Sequence, residues 1–150
     1  SRGLGDVYKR QDPSRLVNPA SGGNYRDCGD MLDLHNYPEP KMYLYDAKRV
    51  NVLGEYGGIG LPVEGHLWSA DKNWGYIEFK TREDVTDRYV TYAEKLMELV
   101  ERGFSAAVYT QTTDVEGEVN GLVTYDREVV KVDVDRLHEV NRRLVRSLDL

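Results

Sequence analysis

Val50-Asn51-Val52-Leu53-Gly54-Glu55-Tyr56-Gly57-Gly58 decides the reading of this chain. An apolar, β-branched run breaks off at Gly-Glu-Tyr-Gly-Gly. Such a run marks a strand buried on both faces, as in a parallel sheet. The glycines mark the loop that follows it. Where parallel strands alternate with helices, chemistry gathers at the C-terminal strand ends. Glu55 sits at such an end, with glycines that let a ligand approach the backbone. That makes it a candidate catalytic carboxylate. The competing reading is a loop glutamate that caps the next helix or pairs with a surface cation.

Upstream, residues 30–38 (DMLDLHNYP) read as a strand ended by Pro38, which has no ladder donor. His35, Asn36 and Tyr37 fall where that strand meets its loop. Pro38-Glu39-Pro40 forces an extended turn, and residues 42–49 read as an amphipathic crossover. Leu16-Val17 reads as a very short strand entering a polar loop. Residues 1–11 have neither a helical nor a strand period, and read as a tail, non-native or disordered.

Downstream, residues 59–80 form a long segment with no clear element of its own. Segments of this kind are usually functional. His66, Trp68, Trp74 and Tyr76 are available there to line a pocket, or else to pack the loop down. Thr81 reads as an N-cap followed by acidic residues. Val85, Tyr89, Tyr92, Leu96, Leu99 and Val100 then share one apolar helical face, and Gly103 ends the helix. Phe104 to Gln111 is the next strand. The acidic loop over residues 114–121 does not match the spacing of a calcium-binding loop, so no metal is expected. Asp133 or Asp135 caps a last helix with Leu137, Val140, Leu144 and Leu148 inward. Alternating strands and helices imply an α/β fold with parallel strands. Four strands do not close an eight-stranded barrel, which takes roughly 250 residues.

With 150 residues and 40% apolar content, the chain is long enough to bury a core. A net charge of −6, with no basic cluster among aromatics, argues against a nucleic-acid partner. No apolar stretch approaches membrane-spanning length, and no membrane partner is expected. The single cysteine, Cys28, allows no intrachain disulfide and is not read as a nucleophile. Eleven tyrosines and two tryptophans suit a sugar-binding surface, though core packing explains most of them equally well.

Four stretches in order carry a family resemblance. Asn51 to Gly58 resembles the nucleophile strand of glycoside hydrolase family 2, the β-galactosidase, β-glucuronidase and β-mannosidase clan. Asp33-Leu34-His35-Asn36-Tyr37-Pro38 resembles the preceding barrel strand of that family. Tyr109-Thr110-Gln111 resembles its last strand, and Gly121 to Arg127 the turn into the closing helix. The resemblance implies a partial (β/α)8 TIM barrel: strands five to eight with their helices, over residues 12–150. It also implies a retaining β-glycosidase with no cofactor. Its two carboxyl groups lie about 5–5.5 Å apart.

Glu55 matches the nucleophile. His35, Asn36 and Tyr37 match strand-end positions that contact sugar hydroxyls or steady the nucleophile. Trp68, Trp74 and Gln111 are the further candidates for substrate binding. The family's acid/base is the Glu of an Asn-Glu pair, and this sequence contains no Asn-Glu pair. The acid/base and the first half of the barrel are therefore expected outside this chain. Gly58 stands where β-galactosidases carry a histidine, and the Asn-X-Lys motif of glucuronidases is missing. Gln111 lies in the region where many relatives carry a tryptophan. The sugar is thus left open, as is the location; a periplasmic or secreted full-length protein is compatible with the resemblance. Alone, the chain is expected to be inactive and to self-associate through strand edges at Val17 and Phe104. The alternative is a non-catalytic carbohydrate-binding α/β module, or a small α/β domain without a ligand.

Overall fold

The computed structural model describes residues 2–23 and 25–148. The elements run α1 (Arg2–Gln11), β1 (Met31–His35), β2 (Val50–Gly57), β3 (Ile59–Gly60), β4 (Ile77–Glu78), α2 (Arg82–Glu101), β5 (Phe104–Thr110) and α3 (Val134–Arg146). Strands β1, β2 and β5 form one parallel sheet in that spatial order, so β2 is central. The fold is mixed α/β, as the alternation predicts.

Helix α2 covers one face of the sheet. Thr81 adopts an extended conformation and its hydroxyl accepts from the Asp84 N–H at 3.1 Å, which caps the helix. Val85, Tyr89, Tyr92, Leu96 and Leu99 are buried beneath it, against Leu32, Leu34, Leu53 and Phe104. Each such aliphatic side chain contributes about 1.5–3 kcal/mol by leaving water. Tyrosines thicken the same layer: the Tyr56 ring meets Tyr92 and Tyr109 edge-on, and Tyr89 packs on Tyr109. Much of the aromatic content is therefore core. Helix α3, capped by Asp133, packs on α2 through Leu137 and Val140.

The structure differs from these expectations in several places. Residues 2–11 form a helix although no apolar period announces one; its Lys9 ammonium reaches the Asp30 carboxylate at 2.9 Å. Residues 16–17 form no strand. Instead the Asp30 N–H donates to Val17 O, and the short bridge onto β1 is made later, by Ser21 beside Asp33. The expected edge at Val17 is replaced by β1, which Ser21 bridges at one point, while the β5 edge lies where expected, with Ser105 to Val108 exposed. The β1–β2 crossover over residues 42–49 holds neither helix nor strand. Asn51, buried at the start of β2, closes it: its amide donates to Asp46 O and Arg49 O while its oxygen accepts the Asp46 N–H. Finally, residues 59–80 do hold an element, the two-residue parallel pair β3–β4. At the C-terminus, Leu148 is 70% exposed and not part of the inner face.

Candidate active site

Parallel strands bring their C-terminal ends to one side. His35 ends β1, Glu55 lies near the end of β2, and Gln111 follows β5 directly. His35 and Glu55 are register partners across the sheet.

Gly54 is what lets Glu55 take its place. The buried Asp33 carboxylate crosses from β1 and accepts the Gly54 N–H at 2.9 Å. A Cβ on Gly54 would lie 2.1 Å from that oxygen, so no side chain fits there. The other Asp33 oxygen accepts from the Asn18 amide at 2.6 Å.

The Glu55 side chain is 42% exposed. Its Oε2 accepts from the Tyr37 hydroxyl at 2.7 Å, and His35 Nδ1 lies 3.3 Å from the same oxygen. Among the described residues, no Lys or Arg pairs with Glu55, and Oε1 has no hydrogen-bond partner. Burial pushes the Tyr37 phenol well above its ordinary range. Thr110 opposes that shift and the Glu55 carboxylate adds to it. Tyr37 therefore keeps its proton and acts as a donor.

An aromatic row extends from this pair. The Tyr37 ring stacks on Tyr76 at 3.9 Å with the planes 8° apart, and Trp74 meets Tyr76 edge-on at 5.6 Å. Tyr76 and Trp74 are both about half exposed. Burial raises the Tyr76 hydroxyl, and the charges of Glu118 and Glu55 add to this, which puts both carboxylates in electrostatic reach of one ring. Glu118 is in turn held by the Asn120 amide at 2.9 Å, and Asn120 accepts from Gln111 at 3.0 Å.

Among the residues singled out from sequence, the structure joins Glu55, His35, Tyr37 and Trp74 by direct contacts through Tyr76. Gln111 reaches the same row through Asn120 and Glu118. Asn36 is turned to its own loop, where its amide donates to Glu39 O at 2.6 Å. Trp68 stands apart: it is exposed and packs edge-on against Tyr125. Sequence reasoning does not single out Asp33, Asn18 and Ser21 as site residues. A buried aspartate in an apolar strand is the signal that could have found the first.

A second grouping has the residue types of a metal site. His66, Asp126 and Glu128 bring ligand atoms within 4.8 Å of one another. Hydrogen bonds account for the arrangement: Asp126 meets His66 Nδ1 at 2.8 Å, and its other oxygen accepts from the Thr124 hydroxyl and the Glu128 N–H. These bonds hold the Asp126 carboxyl down at about 2.

Comparison with protein-family models and with curated proteins gives no match.

Proposed function

We propose that Glu55 is the nucleophile of a retaining β-glycosidase of the glycoside hydrolase family 2 type. In this reading the parallel sheet is part of a (β/α)8 barrel, and chain outside these residues supplies the acid/base carboxyl. One observation carries the reading. Glu55 lies at the end of the central parallel strand with one oxygen held by Tyr37 and the other, among the described residues, free, and with no Lys or Arg paired to the carboxylate. A structural carboxylate is normally consumed by its partners. A nucleophile needs a fixed oxygen for aim and a free one for attack.

On this reading the reaction is that of a retaining glycosidase. Oε1 of Glu55 attacks the anomeric carbon, the bond to the leaving oxygen breaks, and the acid/base carboxyl protonates that oxygen. Water, deprotonated by the same group, then releases the sugar from Glu55. The Tyr37 hydroxyl donates to Oε2 throughout. Tyr76 and Trp74 offer apolar faces on which a sugar ring can lie.

The half-exposed Tyr76 and Trp74 favour the second reading, a module that holds sugar without cleaving it. Labelling of the full-length protein with activated fluoro-sugar β-glycosides, followed by peptide mass mapping, separates the two. The expected result is a covalent glycosyl adduct on the peptide that contains Glu55. An adduct on a different carboxylate overturns the assignment of Glu55. Saturable sugar binding with no adduct and no turnover supports the module instead.

A further inference from the structure

His35 is gripped from both ends of its ring. Nδ1 lies 3.3 Å from Glu55 Oε2, and Nε2 lies 2.8 Å from the Ser21 hydroxyl oxygen. The backbone beside Ser21 lies against the same ring. A Cβ on Gly22, where φ is +68°, would sit 2.6 Å from His35 Cγ, so the approach requires glycine. The Gly22 N–H donates to Asp33 O at 3.3 Å, which fixes this segment to β1. The His35 backbone is held as well: its carbonyl accepts from the Tyr43 hydroxyl at 3.1 Å. Tyr43 is hydrogen-bonded to the Tyr25 hydroxyl, and Tyr25 accepts the Gly23 N–H.

A neutral imidazole carries one proton, and its partners decide which nitrogen holds it. Two carboxylates face this ring. Glu55 is 3.3 Å from Nδ1, and Asp33 is 3.9 Å from Nε2. Both oxygens of Asp33 already accept hydrogen bonds, from Gly54 and from Asn18. Glu55 Oε2 has the Tyr37 hydroxyl and is the nearer of the two. Attraction weakens with distance, so the N–H pole belongs on the Glu55 side. That leaves a bare lone pair on Nε2. A serine hydroxyl can rotate to donate to it.

We propose that Ser21 is a positioning residue: by donating to Nε2 it fixes His35 as the Nδ1–H tautomer, with the N–H pole on the side of Glu55 Oε2 as a charge contact rather than a hydrogen bond. With Tyr37 on the same oxygen, Oε1 is left as the attacking atom. That last consequence rests on the reading of Glu55 as nucleophile; the tautomer does not.

Nuclear magnetic resonance of the chain with isotope-labelled histidine reads the tautomer directly from the two ring-nitrogen shifts. Spectra are taken at a pH where all imidazoles are neutral. His66→Gln and His138→Gln variants remove the other two histidine signals and so assign His35. The expected result is a protonated-type Nδ1 and a bare-type Nε2. Ser21→Ala should lose that separation as the proton redistributes to Nε2, and Ser21→Thr, which keeps a hydroxyl, should retain it. A wild-type ring protonated on Nε2 overturns the proposal, whether or not the alanine variant folds. So does a folded Ser21→Ala protein with unchanged ring shifts. In the full-length protein, absence of covalent labelling at Glu55 alongside an intact Nδ1–H tautomer breaks the glycosidase reading and leaves the tautomer standing.

Discussion

Two carboxylates in this molecule make an instructive pair. Asp114 is buried with Lys131, whose side chain has no exposure at all. The Lys131 ammonium donates to Asp114 at 2.7 Å, to Val119 O at 2.8 Å and to Leu61 O at 3.1 Å, and Asp114 also accepts the Gly121 N–H. Burial pushes the Asp114 carboxyl up and the Lys131 ammonium down, while their mutual contact opposes both shifts. Every proton of that ammonium is spoken for. Glu55 is the opposite case: half exposed, without a cationic partner among the described residues, and with one oxygen unengaged. The first arrangement ties the loop after β5 to the segment after β3. The second leaves a carboxylate oxygen in the open. What separates them is whether the neighbours use up the charge.

The sharpest way to break the contrast is to remove both charges in turn. On the proposed reading, Glu55→Gln should reduce covalent labelling of the full-length protein to background, yet shift stability by only about 1 kcal/mol, because a Gln oxygen can still accept from Tyr37. Labelling that persists at wild-type rate ends the comparison. Lys131→Met should cost about 3–5 kcal/mol in denaturant unfolding, because Asp114 is left charged and unpaired. Combining it with Asp114→Leu should recover part of that loss. If Lys131→Met unfolds at the wild-type midpoint, the pair is not structural.

Smaller changes sharpen the picture. Tyr37→Phe keeps the stack on Tyr76 and removes one hydrogen bond to a charged oxygen, worth about 1.5–3 kcal/mol. Labelling of Glu55 should slow roughly tenfold or more, because the carboxylate loses the contact that fixes its aim. An unchanged rate would mean that Tyr37 only packs. The least effect belongs to a third carboxylate, Asp126. It is held below its ordinary value of 3.8, at about 2, by Thr124, Glu128 and His66. A carboxyl depressed in the folded state stabilises it above its ordinary value, and that contribution disappears as the pH falls through the folded value. Melting temperature should therefore drop between about pH 4 and pH 2, and Asp126→Asn should flatten that part of the curve. Parallel curves for the two proteins would contradict it.

Short-range order was legible in the sequence. The apolar runs ending at His35 and Gly57, the Thr81 and Asp133 caps and the α2 stripe are written in residue type and spacing, because backbone geometry fixes a strand's period and a helix's face. So was the prominence of Glu55, since a carboxylate between glycines at a strand end is visible in the string. The helix over residues 2–11 was not, because it lacks an apolar period and its described tie to the rest is a single lysine reaching Asp30.

Tertiary structure alone decided what surrounds Glu55. Asn18 and Ser21 reach the site from chain outside its strands, and nothing in their local pattern marks them; Asp33 is marked only as an acid inside an apolar strand. Asn36 and Trp68 are polar and aromatic in the right stretches, yet one is engaged by its own loop and the other by Tyr125. Residue type determines what a side chain is able to do. Which partner it meets depends on how β1, β2 and the long β3–β4 segment pack, and that packing sets the distances on which hydrogen bonding and charge depend.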